Sequence, residues 1–386
     1  NNIIYSEAVF TAAIQNIEES RHKQKYSDEL INNRIERVKI IDIKFDFLKT
    51  LKKIKISYGY DFRIQKLSSF ANLSKNNTYS YNTTRYPDGG TVALNNALYL
   101  QASIKYSKKI EVFVGSRYNI NSLSSKFKDT TIIQLPFNEI IVENISIANS
   151  IKLAYQLNKE ICFNSTISNG YRNPNTDDIG KIFSKNDITV VVPNNKISPE
   201  KSITIEAGIE AKIKNNITFQ LQVFQTRIED AIERREGKVN GLDSIIYDGE
   251  MMKVMINQNV GRANITGMNF TYNIKVNNQI SHNTIINLLN GKTKSGLPLA
   301  HIPPANIISS VNYTYHKHYF NLNVNYTHQK EKKEYDLEGV DNLEEATIDG
   351  SPYWYTLNLK YKTNLAKDII LVAGLNNIMD AHYKTF

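Results

Sequence analysis

The chain has 386 residues, of which 41% are hydrophobic, and a formal net charge of +9. No stretch reaches the roughly 18 consecutive apolar residues of a membrane-spanning helix, which excludes a helical membrane protein. The basic residues are scattered without forming a basic helix or cluster, so nucleic acid is not predicted as a partner. The single cysteine, Cys162, excludes an internal disulfide and a cysteine-based zinc site, and we predict it to be buried within a strand.

Apolar and polar residues alternate along much of the chain. Between residues 53 and 65, isoleucine, tyrosine and phenylalanine at even positions alternate with mostly polar residues at odd positions. The same period of two recurs at residues 145–157, 201–213, 320–327 and 355–363. This period places successive side chains on opposite faces of a strand, and no comparably clear helical period is present. The sequence therefore predicts an all-β protein.

Short and long connections alternate between the predicted strands, of which we count about fourteen or fifteen. The long polar connections are residues 67–90, 121–139, 171–201, 233–251, 291–303 and 330–352. This alternation is typical of an antiparallel transmembrane β-barrel with short periplasmic turns and long extracellular loops. A soluble propeller or solenoid would instead need a motif repeated at a fixed period, and none is visible.

The two faces of the predicted strands differ in chemistry. One face is aliphatic or aromatic, with aromatic residues near strand ends, as in Tyr353, Trp354 and Tyr355. Such a face suits a lipid-facing band with aromatic girdles. The other face is rich in amide, hydroxyl and charged side chains, which is too polar for the packed core of a small barrel. We therefore expect a wide barrel whose interior is wet or plugged.

Two sequence elements are more specific than the strand pattern. The first combines an aromatic-Arg-x-Pro, an asparagine with an acidic pair, and a return through two prolines to a glutamate. Its residues are Tyr171, Arg172, Pro174, Asn175, Asp177, Asp178, Pro193, Asn194, Pro199 and Glu200. The second element contains Asn376, Asn377, Asp380 and Tyr383. In their order and spacing, these elements resemble those of TonB-dependent outer-membrane receptors of the Bacteroidetes type, over about residues 145–386.

The resemblance implies that residues 1–386 form part of the barrel domain of such a receptor, a fragment of a barrel of about 22 strands. A plug domain upstream of Asn1 and a last strand after Phe386 are expected beyond this sequence. The implied location is the bacterial outer membrane. Expected partners are membrane lipid and lipopolysaccharide, the TonB complex acting through the missing N-terminal part, and a surface lipoprotein.

The resemblance also implies active uptake of a scarce nutrient. The expected cargo is a ferric siderophore or another iron complex; haem or haem and iron proteins, cobalamin, oligosaccharide and peptide are alternatives. A passive porin, or the barrel of a secretion or assembly complex, is the alternative class. An enzyme is not expected, because Gly-x-Ser-x-Gly, His-Glu-x-x-His and phosphate-binding motifs are absent from the sequence. No cofactor or resident metal is expected either.

Candidate ligand-binding residues follow from these cargo classes. Haem-receptor relatives place a histidine between the two halves of the first element, and none is present here. His301 in a later loop and His328 near a strand top are the histidines best placed to face the outside. A flat anionic chelate is suited by aromatic rings beside a guanidinium, a combination found in residues 79–86. The candidates are Tyr79, Tyr81, Arg85, Tyr86, Arg172 and His301. Two alternatives stay open: residues 79–86 are an ordinary solvated loop, and the element around Arg172 is a brace for the extracellular loops.

Overall fold

The computed structural model describes residues 3–26, 29–129, 133–184, 188–214, 216–336 and 346–384. The strands in these ranges are β1 (Glu7–Gln24), β2 (Ile31–Thr50), β3 (Ile54–Lys75), β4 (Thr78–Tyr81), β5 (Thr91–Lys105), β6 (Ile110–Lys126), β7 (Glu139–Gln156), β8 (Ile161–Arg172), β9 (Thr189–Val192), β10 (Glu200–Ile213), β11 (Ile217–Glu229), β12 (Ile232–Glu236), β13 (Ser244–Tyr247), β14 (Glu250–Asn259), β15 (Ala263–Lys275), β16 (Ile280–Thr293), β17 (Asn306–Tyr315), β18 (His318–Thr327), β19 (Lys330–Glu331), β20 (Gly350–Ser351), β21 (Trp354–Ala366) and β22 (Ile369–Leu375). The helical elements are α1 (Thr176–Ile179) and a 3-10 turn at Lys332–Glu334. No helix in this part of the chain is long and apolar enough to cross a membrane.

Sixteen strands form one sheet in which neighbours follow chain order. The path is β1-β2-β3-β5-β6-β7-β8-β10-β11-β15-β16-β17-β18-β21-β22, and β4 pairs with β3 at its side. Every pair along this path is antiparallel. This sheet, called here the wall, confirms the predicted all-β antiparallel fold, and the fifteen strands on the path agree with the predicted number.

Connections of two different lengths separate these strands. At one end they are short turns, as at residues 51–53, 106–109, 157–160, 276–279 and 316–317. At the other end most are long, as at residues 173–199, 230–262 and 328–353, and these three contain α1 and the strands that lie outside the main sheet. The alternation confirms the predicted arrangement of short turns at one rim and long loops at the other.

The outward face of the wall is apolar and exposed. In β7, for example, Ile145, Ile147, Ile151 and Leu153 are all exposed. Exposed aliphatic side chains on strand after strand form a patch far larger than a monomeric soluble protein presents. The face therefore matches the lipid-contacting band of a transmembrane barrel.

The inward face carries a polar network that links neighbouring strands. Its pairs include Arg63 with Asp42 at 2.5 Å, Arg117 with Asp61 at 2.6 Å, and Tyr99 with Asp46. Tyr99 of β5 reaches Asp46 of β2 across β3, because the intervening residue is Gly59, where a Cβ would collide with the Tyr99 ring. A wall lined by such pairs encloses a hydrophilic interior, as predicted.

Several local predictions were wrong in part. The segment from residue 67 onward was predicted as a loop, but β3 continues to Lys75 and then pairs with β4. The reason is that cross-strand pairing with β2 extends beyond the lipid-facing band, up to Ser74. Cys162 lies near the beginning of β8 as predicted for a strand residue, but it is half-buried and not buried.

The long loops at residues 173–199 and 230–262 fold into a small unit, called here the cap. Its sheet has the order β12-β14-β13, and β9 is added parallel to β14. Buried side chains from both loops pack together with Ile133 of a third loop; they are Ile182, Val190, Val192, Val239, Tyr247, Met252 and Val254. The cap therefore has a hydrophobic core of its own, although this region was predicted as polar loops.

Truncation of this core should loosen the cap without unfolding the barrel. Met252 is 1% exposed, while the adjacent Met251 is 65% exposed on the opposite face of β14. We expect Met252→Ala to destabilise the cap by about 2–5 kcal/mol through lost burial and a cavity, and Met251→Ala to have little effect. Limited proteolysis of intact cells, with heat-modifiable gel migration as the check on the barrel, measures this. Equal cleavage of the two variants would contradict the core.

Candidate functional site: the cap at the barrel mouth

Arg172 joins the wall to the cap. It is the last residue of β8, at the upper, long-loop end of the strand, and lies opposite Glu200, the first residue of β10. Its guanidinium donates to Glu200 and, at 2.7 Å, to Asp178. The second carboxylate oxygen of Glu200 accepts from the backbone amide of Ile232 at 2.6 Å, where β12 begins. Two wall strands, the loop after β8 and the cap sheet thus meet at one charged centre.

The helical turn α1 fixes the loop that follows Arg172. Asn175 is its N-cap, and its side chain accepts from the amide of Asp178 at 3.0 Å. Asp178 returns the bond by accepting from the amide of Asn175 at 2.8 Å, which completes a capping box. Pro174 precedes this box and is buried. Asp178 therefore holds Arg172 and the loop at the same time.

The return of the loop is tied to β14. The side chain of Asn194 donates to the carbonyl of Asn257 at 2.7 Å, directly after the buried Pro193. Pro199 is half-buried just before β10, and Tyr171 lies opposite Lys201 on the outward face. The residues of the first sequence element are thus brought together, mostly through backbone and ionic contacts.

The second sequence element lies apart from the cap, after β22. The Asn377 side chain bonds the backbone of Ala381 in both directions at 3.0 Å, and its own amide donates to Asn358 at 2.9 Å. Asp380 donates its amide to the carbonyl of Asn377, and Asn376 is exposed. Tyr383 stacks on Trp354 with ring centroids 4.2 Å apart. These contacts order the segment after β22.

The cap reaches strands that are far apart along the wall. On one side, Arg34 of β2 donates to the Tyr247 hydroxyl at 2.9 Å. On another, Arg235 of β12 pairs with Glu233 and, at 3.3 Å, with the buried Asp336 in the loop between β18 and β21. The cap itself is attached between β8 and β10 and between β11 and β15. Since the wall strands follow one another in order, contacts to both β2 and the β18–β21 loop extend the cap across the barrel mouth.

A cluster of charges lies where the cap meets the loop before β5. The cationic cluster is defined here as Arg85, Lys181 and Arg234 around Asp177. Lys181 pairs with Asp177 at 3.2 Å, and Arg234 lies within electrostatic range of both groups. Arg85 and Lys181 both lie over the ring of Phe183, at 4.9 and 5.2 Å from its centroid. Three cations therefore surround one carboxylate, and two of them, Arg85 and Lys181, share one aromatic face.

The cluster retains unused hydrogen-bonding capacity. The Nε atoms of Arg85 and Arg234 are buried and have no hydrogen-bond partner in the described part of the chain. Burial lowers the pKa of Arg234, yet a guanidinium stays charged at physiological pH. Burial also lowers the pKa of Lys181. The surplus of positive charge and free donors suits an anionic group.

Tyr86 helps to lower the pKa of Asp177, the carboxylate at the centre of the cationic cluster. Its hydroxyl donates to Asp177 at 2.5 Å. Burial and this bond raise the pKa of Tyr86 to about 12, so the hydroxyl stays protonated as a donor. Burial alone would raise the pKa of Asp177, but the bond from Tyr86 and the charge of Lys181 outweigh it and lower that pKa below its usual range.

The other candidate residues are placed outside this cluster. Tyr79 and Tyr81 are exposed on β4. Burial of its hydroxyl and the nearby charges of Asp88 and Asp129 raise the pKa of Tyr81 to about 12. His301 is exposed in the loop between β16 and β17, with a positive φ of 60°. Among the described residues no group of three or more His, Cys, Asp or Glu side chains could hold a metal ion.

The family of the chain follows from a match over nearly all of its length. Residues 8–378 match the family model described as "TonB dependent receptor-like, beta-barrel". The chain belongs to the TonB-dependent receptor family. The match includes the N-terminal third, where the sequence elements gave no signal beyond the strand pattern. The barrel of this TonB-dependent receptor accordingly lies in the bacterial outer membrane. No curated protein sequence matches the chain.

Solved structures share the fold at low sequence identity. A copper transporter, OprC, superposes with a TM-score of 0.79 at 12% identity, covering 100% of this chain and 58% of its own. A ferric yersiniabactin uptake receptor, FyuA from Yersinia pestis, gives 0.69 at 16%, covering 99% and 55%. A ferric enterobactin receptor, PfeA from Pseudomonas aeruginosa, gives 0.70 at 14%, covering 97% and 55%. The chain thus spans 55–58% of these proteins.

Sequence reasoning found part of the cluster and missed the rest. Arg85 and Tyr86 were predicted from their composition within one loop. Lys181, Phe183 and Arg234 were missed, because they come from two other loops. The available signal was a basic and an aromatic residue just after the acidic pair, at positions 181 and 183.

Removal of the Tyr86 hydroxyl should make the cap more sensitive to acid. Asp177 has a lowered pKa in the folded state, so it stabilises the cap above the ordinary carboxyl pKa near 4 and loses this effect as the pH falls through the lowered value. Tyr86→Phe shifts that loss to higher pH. We expect the stability of the cap to change by less than about 1 kcal/mol, because Asp177 is half-exposed. Proteolysis of the cap from pH 3 to 7 measures it. Tyr79→Phe, at an exposed ring in the same loop, is the control and should match the wild type.

Proposed function

We propose that residues 1–386 are the barrel of a receptor that imports an anionic iron chelate, such as a ferric siderophore, with energy supplied through TonB. Membership of the family and a polar barrel interior support the transport role. The cationic cluster carries the choice of cargo, since it combines surplus positive charge, unused guanidinium donors and an aromatic face at the barrel mouth.

The proposed mechanism has two steps, which are capture of the chelate by the loops and its passage through the barrel. Extracellular loops and the cap would bind the chelate through Arg85, Lys181 and Arg234, with the Phe183 ring against a flat ligand face. A plug domain outside this sequence would contact TonB and open a path along the polar interior. The proposal also includes the surface lipoprotein partner and the Bacteroidetes-type source that the sequence elements suggest.

Haem is the second candidate cargo, and it depends on His301. That residue lies in an exposed loop at the cap side of the barrel, which is compatible with contact to an external ligand. The cationic cluster itself contains no histidine, so axial ligation would have to occur away from it. The guanidinium and ammonium donors of the cationic cluster therefore fit an anionic chelate better than they fit haem.

A charge-removing pair of variants tests the cluster. Arg85→Gln removes a cation that lies over Phe183, while Lys333→Gln removes an exposed loop cation and changes the net charge equally. We expect Arg85→Gln to weaken binding of a ferric chelate at least about tenfold, because a hydrogen bond to a charged group is lost, and Lys333→Gln to leave it unchanged. Cells whose only receptor for the chelate is the full-length protein provide the assay, with radioactive iron bound at low temperature.

The cargo panel should include a catecholate, ferric citrate, haem and cobalamin. Preference for an anionic chelate that is lost in Arg85→Gln supports the proposal. Equal affinities of both variants, or import of cobalamin alone, would overturn the assigned cargo. Import of haem that depends on His301 and not on Arg85 would establish the second candidate.

A further inference from the structure

The wall contains a window between β7 and β8. These strands are paired only on the short-turn side of Ser150 and Ser168. Beyond that level β7 remains paired with β6, and β8 with β10, up to their ends. Continuing the register would add four pairs, from Asn149 with Asn169 to Ser146 with Arg172, and these pairs are not formed. The opening lies on the long-loop side, toward the outer leaflet.

A side-chain amide begins the window. Asn169 donates from Nδ2 to the carbonyl of Ile147 at 2.7 Å and accepts at Oδ1 from the amide of Asn149 at 2.9 Å. In a continuous antiparallel ladder, these two groups of β7 would bond to the backbone of β8. The carboxamide therefore replaces two ladder bonds and spaces the strands apart. A bond between the side chains of Asn144 and Asn173 bridges the strands again above the window.

The window opens into a cleft of about 550 Å³ on the wall. Its apolar lining on the outward face includes Ile145, Ile147, Tyr171 and Ile203. By the register of the sheet, Ile203 is level with Asn169, and Lys201 is level with Tyr171. The cleft thus offers an apolar wall that faces lipid, together with a strand edge whose ladder partner is absent.

Cations border the same cleft. Lys201 of β10 and Arg227 of β11 both line it on the outward face. Arg227 pairs with Glu229 at 3.2 Å, and Arg262 approaches the same glutamate at 3.4 Å, so two cations share one carboxylate. Lys201 lies opposite Glu229 in the pairing of β10 with β11. Near the outer rim of a membrane protein, such a surplus attracts an anionic headgroup, at about 1 kcal/mol for each basic residue in analogous cases.

We propose that this cleft is a specific binding site for lipopolysaccharide of the outer leaflet. An acyl chain would lie against the isoleucines, a phosphate against Lys201 and Arg227, and amide or hydroxyl groups of the acylated sugar against the open strand edge. Lipopolysaccharide supplies all three chemistries in one molecule, whereas a phospholipid lacks the acylated sugar. The site is on the outer face of the wall and does not depend on the proposed cargo.

The test measures lipid retained by the full-length receptor after purification from outer membranes in mild detergent. The wild type should retain about one lipopolysaccharide per barrel by native mass spectrometry. Removal of each cation should lower the affinity for lipopolysaccharide about fivefold, so Lys201→Ala with Arg227→Ala should lower it about 25-fold. Arg37→Ala is the matched control, since Arg37 is also an exposed wall cation paired with a glutamate, Glu18, far from the cleft. It should retain lipid like the wild type.

A second variant keeps both cations and changes the window. Asn169→Val removes the carboxamide, so the backbone of β8 can pair with β7 and close the opening; we expect loss of the bound lipid with unchanged heat-modifiable migration. Retention by both the double variant and Asn169→Val would overturn the site. Retention of phospholipid in place of lipopolysaccharide would overturn the assigned ligand.

Discussion

A backbone amide or carbonyl without a hydrogen bond in hydrocarbon costs several kcal/mol, and this cost determines how the wall is built. It explains why the strands pair with their chain neighbours over long antiparallel registers. The same cost applies where the ladder stops. At the window between β7 and β8, the Asn169 carboxamide supplies a donor and an acceptor to β7, so the interruption leaves these two backbone groups bonded. The side chain thus replaces two of the interrupted ladder bonds, while the rest of this strand edge remains without its ladder partner.

Beyond the lipid, this constraint is replaced by a different one. Water can satisfy loop backbone groups, so a long loop becomes ordered only if it buries apolar surface of its own. The cap does so with Val190, Val192, Met252 and Val254. Its ordered framework in turn holds charged side chains that would otherwise be solvated. Arg85, Lys181 and Arg234 are brought around one carboxylate because three separate loops are fixed to one another, which is how a receptor surface acquires a localised positive site.

The sequence predicted what is local and missed what is distant. The wall was predictable because a period of two is repeated in each strand and each turn is short. The residues of the Arg172 element were found because they lie within 29 positions of one another, and their contacts are compatible with the brace that was one of two interpretations. The cap sheet was missed, since Thr189–Val192 is short and most of β12 and all of β13 lie within the segment predicted as the polar loop 233–251. The bond from Arg34 to Tyr247 joins residues 213 positions apart, which no periodicity indicates.

The upper end of β8 connects these regions. Tyr171 faces outward into the lipid cleft, and the next residue, Arg172, faces inward to Glu200 and Asp178. Because successive residues of a strand point to opposite faces, one short segment contributes to both surfaces of the wall. The window releases this segment from β7, so its position depends on β10 and on the charged centre at Arg172. Any movement of the cap transmitted through Glu200 and Ile232 would therefore reach the lipid-facing cleft through β8 and β10.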